Sequence, residues 1–203
     1  MSGRRRHPAP SASLRRGRMN DLDALLALEQ AVFTVDVLSR RSLRRFLASP
    51  GAALIVAEEC GRLAGYALVL FPPRSRMARL YSIAVAPHVG RRGVGPLLLA
   101  AAEKAAKRRK RRAMRLEVHE HNTRAIARYE KSGYRLFGRH RAYYDDRGDA
   151  LRFEKPLGPE PRRRPAVTAK KSDLQARIGF HGDIADRAVA IRFVPGYDNL
   201  CLA

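Results

Sequence analysis

The chain has 203 residues, 45% of them hydrophobic, and a formal net charge of +22. This length suits one well-buried domain with a small appendage, and this composition argues against wholesale disorder. No apolar run approaches the roughly 18–20 residues that cross a bilayer, while Cys60 and Cys201 lie far apart and suggest no disulfide framework, so a reducing, cytoplasmic setting is expected.

The opening "MSGRRRHPAPSAS" is Arg-rich, acid-free and broken by Pro, and it lacks the apolar stretch of a secretory signal. Residues 1–11 therefore read as a disordered basic arm, and "SLRR" as a short first strand. Asp21 is placed to cap a helix with Leu22, Leu25, Leu26 and Leu28 on its inner side, running to about Phe33. Ser39 or Ser42 opens a second helix carrying Leu43, Phe46 and Leu47, closed by "SPG". "AALIVAEE" and "LAGYALVLF" flank the "CGR" turn and predict a hairpin. "ARLYSIAVAP" is a further strand. A glycine-rich turn then leads into a long helix to about Arg108, followed by the strand "MRLEV". Asn122 caps another helix that stops at Gly133, a good C-terminal glycine. "YRLFGRHRAYY" and "ALRFEKPL" around "DDRGD" predict a closing hairpin. The sum is a mixed α/β domain over 12–157. Residues 158–203 open as a Pro/Arg linker and continue into an irregular extension with no assigned role.

Charge is distributed along the chain. Residues 1–18 contribute +6 and residues 158–203 contribute +3, which leaves +13 between them. Such a balance favours acidic partners: nucleic acid, a ribosome, an anionic membrane or a polyphosphate cofactor. Abundant Arg beside Ala also fits a compositional bias of the source genome.

"VGRRGVGPLLLAAAEKAAKRRKRR" joins a strand, a glycine turn and a helix start. Backbone N–H groups and the positive helix end there form an anion site for a phosphate or pyrophosphate. Gly93 and Gly95 permit close approach, Arg91 and Arg92 add charge-assisted contacts, and Pro96 suits the first helical position while removing one donor. The competing reading is a turn that simply needs two glycines. Neither a Walker loop nor a dinucleotide fingerprint matches the spacing. Val94, Leu98, Ala101 and Ala105 fall on one helix face, with Lys104, Lys107 and Arg111 on a solvated one. The run Arg108–Arg112 suits the helix C-terminus; a nucleic-acid patch is the sharper alternative, without the interleaved aromatics of a single-strand platform.

"LEVHEHNTRAIARYEKSGY" carries the remaining chemistry. His119 and His121, around Glu120, would share a face on a continuing strand, but a zinc site wants three or four protein ligands and none of the other histidines or cysteines has ligand spacing. No metal is expected. His119 is instead placed to line a substrate cleft and to act on its neighbour Glu117 as a pH-sensitive group. Glu117 and Tyr129 could be a salt-bridge residue and a core ring. They could also be a base and an acid: an amine must lose a proton before attacking an acyl carbon, and a thiolate must gain one to leave. A peptide α-amine titrates at about 8 and a lysine at about 10.4, which leans toward N-terminal amines, while a tyrosine at about 10 stays protonated at neutral pH.

Three ordered stretches, "IAVAPHVGRRGVGPLLL", "LEVHEHNTRAIARYEKSGY" and "HRAYYDDRGDALRFEKPL", resemble the GCN5-related N-acetyltransferases (GNAT superfamily), within it the ribosomal-protein alanine N-acetyltransferases of the RimI branch. The resemblance covers about 12–157. It implies a central, twisted, mostly antiparallel sheet flanked by helices, and acetyl-CoA as cosubstrate without a metal. It implies that the turn at Arg91, Arg92, Gly93, Val94 and Gly95 binds the pyrophosphate. Ile83, Ala84 and Val85 would pair with the pantetheine arm, an amide near Val85 would polarise the thioester carbonyl, and Asn122 would contact the cofactor. Glu117 becomes the general base, through water, and Tyr129 the acid that protonates the thiolate. Their twelve-residue separation matches the family. Tyr143 and Tyr144 would grip the peptide N-terminus. Gly90 stands where relatives carry Gln or Arg.

The function expected is acetyl transfer from acetyl-CoA to a protein N-terminal α-amine, with a ribosomal protein as the candidate acceptor. The alternatives are a lysine side chain or small amine as acceptor, or a basic ribosome- or RNA-docking CoA-binding module with little catalysis. No membrane partner is expected.

Overall fold

A computed structural model of the chain describes residues 12–33, 37–89, 92–144 and 146–158. The basic arm expected at 1–11 and the extension expected beyond 158 lie outside the described residues. The elements, in order, are β1 (Ser13–Arg16), α1 (Leu22–Val32), α2 (Arg40–Ala48), β2 (Ala52–Glu59), β3 (Arg62–Leu70), β4 (Met77–Val85), α3 (Val94–Arg108), β5 (Ala113–His119), α4 (Thr123–Lys131), β6 (Arg135–His140) and β7 (Ala150–Pro156). The strands form one sheet in the order β1-β2-β3-β4-β5-β7-β6. The β4–β5 pair is parallel and the other pairs are antiparallel, as a mostly antiparallel sheet requires.

Local chemistry explains most boundaries. Cys60 and Gly61 both have positive φ, 49° and 72°, and form the two-residue loop that the right-handed strand twist of β2–β3 prefers. Ser39 caps α2 by accepting from the Ser42 amide at 3.1 Å. Asp21 does not cap α1 as expected. Its carboxylate takes the Arg15 guanidinium at 2.8 Å and the Arg18 amide at 2.7 Å, so it ties β1 to the turn before the helix. The buried stripe of α3 runs Val94, Leu98, Ala102, Ala106 beside Gly95 and Leu99. It follows the i+4 row, so Ala101 and Ala105 are only partly buried. Arg111 is not part of a solvated face either: with Arg109 it lies against the Phe71 ring, at 5.8 and 4.2 Å, and it donates to the Ser75 carbonyl.

The two faces of the sheet carry different helices. On β5, Met114 faces one side, where its sulfur accepts from the Tyr134 hydroxyl at 3.2 Å. Its cross-strand partner Lys155 reaches Glu103 of α3 at 2.8 Å on that same side. Arg115 and Glu117, one residue out of phase, face the other side. There Glu29 of α1 meets Tyr66 of β3, whose hydroxyl also contacts Ser82 of β4 at 2.7 Å. One side is therefore the α3 face and the other the α1 face. Leu25, Leu43, Leu98 and Phe153 are at most 1% exposed and fill the two layers; each fully buried Leu contributes about 1.5–3 kcal/mol.

Candidate active site

The β4–β5 ladder is short. It runs from Met77↔Ala113 to Arg79↔Arg115, while β4 continues to Val85 along β3 and β5 continues to His119 along β7. Just past the last residue paired with β5, Arg79, β4 carries an extra residue, Tyr81, between the registers Val69↔Leu80 and Leu68↔Ser82. Such a bulge bends a strand and ends pairing. The result is a slot through the sheet.

On the α3 face the slot opens into a small pocket, open to solvent and lined by Ile83, Val85, Gly95, Leu99, Arg128 and Tyr129. Gly93, at φ 82°, turns the chain left-handed into α3. The amides of Val94 and Gly95 belong to the first turn, where helical partners are lacking. Pro96 is the third helical residue, not the first as expected, and it removes one donor from that turn. A Cβ on Gly95 would meet the end of the Arg128 guanidinium, which would have to swing aside. The Arg92 guanidinium folds back onto the turn, donating to the Val89 carbonyl at 2.9 Å and to Glu59 at 3.2 Å. Gly90 and Arg91 lie outside the described residues.

Tyr129 is 1% exposed beside this cavity, with its ring 5.6 Å from that of Tyr134. Burial pushes its phenol far above the ordinary tyrosine range, partly offset by Arg128. The group stays protonated. Asn122 sits at the start of α4, its side-chain oxygen accepting from the Ala125 amide at 3.1 Å.

Glu117 is on the α1 face and 4% exposed. Arg79 donates to its Oε2 from two nitrogens, at 2.8 and 3.0 Å. The Nε of Arg152, directly across on β7, lies 3.7 Å from its Oε1. Arg79 also donates to the Tyr143 hydroxyl at 3.2 Å, which links the carboxylate to the β6–β7 connection. That connection gathers the other expected acceptor residues. The rings of Tyr143 and Tyr144 are 5.3 Å apart and those of Tyr144 and His119 4.8 Å. His119 pairs with Asp146 at 3.0 Å and accepts from the His121 amide through Nδ1. Strand β5 ends at His119, so His121 does not continue its face. Among the described residues no group of three His, Cys, Asp or Glu could hold a metal.

The structure thus divides the expected residues into two clusters on opposite faces of the sheet, near where the β4–β5 pairing ends. Ile83, Val85, Gly95 and Tyr129 line one; Glu117, His119, Tyr143 and Tyr144 form the other. Arg79, Arg152, Arg128 and Asp146 were not singled out from sequence. Only Arg152 had a readable signal, its cross-strand place opposite Glu117 once a hairpin register is assumed.

The Acetyltransferase (GNAT) family model matches residues 22–134. A Bacillus subtilis (strain 168) protein provisionally named ribosomal protein bS18-alanine N-acetyltransferase is 30% identical over 141 residues, covering 69% of this chain and 92% of that one. The crystal structure of the Escherichia coli ribosomal-protein-S18-alanine N-acetyltransferase is similar with a TM-score of 0.67 at 25% identity, over 76% of this chain and 99% of that one. Nourseothricin acetyltransferase is similar with a TM-score of 0.60 at 26% identity, over 73% and 99%. No helix among the described residues is long and apolar enough to cross a membrane.

Proposed function

Since the chain belongs to the acetyltransferase (GNAT) family, and is an acetyl-CoA-dependent N-acetyltransferase, we propose that its acceptor is the α-amine of a protein N-terminus, as the names of its ribosomal-protein-modifying relatives suggest. The observation that carries this reading is the slot between β4 and β5, with a protonated tyrosine on one face and a buried carboxylate on the other.

The α3 face fits an acetyl-CoA thioester. The cavity is apolar along Ile83, Val85 and Leu99, glycines lie where a pyrophosphate would approach the helix start, and Arg128 places a cation beside them. When bound, acetyl-CoA supplies an acetyl group activated for attack. Arg92 braces the turn. The β4 backbone at Ile83–Val85, past the end of the β5 ladder, offers amides to the pantetheine arm and the acyl oxygen. Asn122 orders the start of the helix that delivers Tyr129.

On the α1 face, Glu117 takes the proton of the incoming amine, directly or across one water. The amine nitrogen then bonds to the acyl carbon, the carbon–sulfur bond breaks, and Tyr129 hands its proton to the sulfur. Arg79 holds the Glu117 carboxylate in place, and Tyr143, Tyr144 and His119 form the wall against which the peptide's first residues lie.

Turnover of acetyl-CoA with an N-terminal peptide tests this assignment. Removing a positioned proton-transfer group costs about 10²–10⁴-fold in rate, so Tyr129→Phe and Glu117→Gln should each lower kcat by that order while still binding acetyl-CoA. Wild-type turnover in both variants would sink it. The likeness to nourseothricin acetyltransferase favours a second reading, a small amine as acceptor; a peptide panel run beside free polyamines and aminoglycosides separates the two.

A further inference from the structure

One end of the sheet carries cations without counter-charges. There β4 and β5 begin, paired as Met77↔Ala113, and the Arg112 amide donates to the Arg76 carbonyl at 2.7 Å. The two stretches that meet at this end, 72–78 and 104–116, contain no Asp or Glu. Arg74 and Arg76 on the β3–β4 turn are exposed, as are Lys107, Arg108, Lys110 and Arg112 around the end of α3. Among the described residues, none of these six pairs with a carboxylate. By contrast, Arg15, Arg92, Arg115 and Lys155 each have a carboxylate within 3.2 Å. Arg109 and Arg111 stiffen this end without lowering its charge. Both guanidinium groups lie against the Phe71 ring, at 4.2 and 5.8 Å, and donate to neutral carbonyls, those of Pro50 and Ser75. Their positions are set before a partner arrives, which reduces the ordering cost of binding.

We propose that this end of the sheet docks the backbone of a double-stranded RNA. Closely spaced, unmatched cations suit a polyanion, whose condensed counterions are released on contact. A protein partner would want an apolar interface core, and a membrane would want apolar side chains to insert. The exposed large apolar residues among those described, Met19, Val37, Leu136 and Phe137, lie neither on the β3–β4 turn nor at the end of α3. A single strand needs open rings to stack on, whereas Phe71 is 4% exposed and has Arg109 against it. Neither a helix side nor a strand pair is offered for a DNA major groove. The wide, shallow minor groove of an RNA duplex lets a turn and a helix end reach phosphates and 2′-hydroxyls. The acetyl-transfer site is at the far end of the same strands: from Met77 to Val85, β4 runs roughly 25 Å. RNA is therefore held without covering the acetyl-CoA pocket or Glu117, and docking does not depend on which amine is acetylated.

The test is fluorescence anisotropy of the full chain with a labelled RNA duplex of arbitrary sequence, titrated at several salt concentrations. The matching single strand, a DNA duplex and polyglutamate are the comparison ligands. The RNA duplex should bind tightest, with an affinity that falls steeply as salt rises. Arg108→Glu with Arg112→Glu should raise its Kd about tenfold or more, and the neutral pair Arg108→Gln with Arg112→Gln should flatten the salt slope by about 2. Arg16→Glu with Arg62→Glu makes the same change of net charge as the first pair, on exposed residues away from this end, and should move Kd far less. Circular dichroism confirms that each variant is folded, and peptide acetylation should keep its wild-type kcat/KM in all of them and in the presence of saturating duplex. Equal losses in the two charge-reversed variants overturn the inference, as does equal or tighter binding of the single strand, the DNA or polyglutamate; the transferase reading stands in each case. Duplex RNA bound at this end with no peptide acetylated keeps the inference and overturns the proposed acceptor.

Discussion

Gly148 and His119 show how closely single residues set the proposed acceptor wall. A Cβ at Gly148 would stand 2.1 Å from the His119 Nε2, the atom that pairs with Asp146. An imidazole can swing away, so Gly148→Ala should change stability little, by less than about 1 kcal/mol. Peptide KM should rise several-fold with kcat retained, as expected when ground-state positioning is disturbed. An unchanged KM would remove His119 from the acceptor wall. Glu117 and Tyr129 could be picked out from sequence because their spacing is a property of one strand and one helix. Arg79 and Arg152 could not. In a chain with 41 lysines and arginines, a given arginine acquires meaning only from the strand register that sets it against a particular carboxylate.

Helix α4 is the element on which the proposed acid, Tyr129, depends. It has nine residues, too few for autonomous stability, and it is anchored by Asn122 at its start and by buried Ala125 and Tyr129. Asn122→Ala should cost about 1 kcal/mol, measured by urea unfolding, and should loosen Tyr129 enough to lower kcat. An Asn122→Ser variant, which retains a capping oxygen, should recover most of both. The boundaries of this helix were legible because Asn and Gly mark its ends. The neighbourhood of β7 was not. Adjacent segments predict a simple β6–β7 hairpin, and that pairing exists, but β7 also inserts beside β5. That second pairing places Arg152 opposite Glu117, and it is a long-range choice that no local turn signal encodes. The short β4–β5 ladder is hidden for the same reason: each strand reads as continuous, and only their mutual register reveals where they separate.

At the scale of the whole molecule, Glu29 ties three elements together. Fully buried, it accepts from the Leu38 amide at 2.9 Å, which lies just ahead of α2, and from the Tyr66 hydroxyl of β3. Burial pushes its carboxyl up to about 8, against the lowering effect of the Leu38 amide. Its folded value thus lies above its unfolded one. Between about 4.5 and 8 the native state binds more protons than the unfolded chain, and stability falls as pH rises through that window. Glu29→Gln keeps an acceptor for Leu38 and cannot ionise. Melting temperatures from pH 5 to 9 should therefore decline less steeply in Glu29→Gln than in the wild type; parallel curves would show that the buried carboxyl does not couple to folding.

The parting of β4 from β5 has a consequence for traffic. A sheet with a slot is a partition with a door on each side. Under the proposed assignment, acetyl-CoA enters and CoA departs by the α3 side, whereas the amine comes and goes by the α1 side. Neither has to queue behind the other. A folded protein can remain outside and pass only its first residues to the doorway, which suits the proposed protein acceptor.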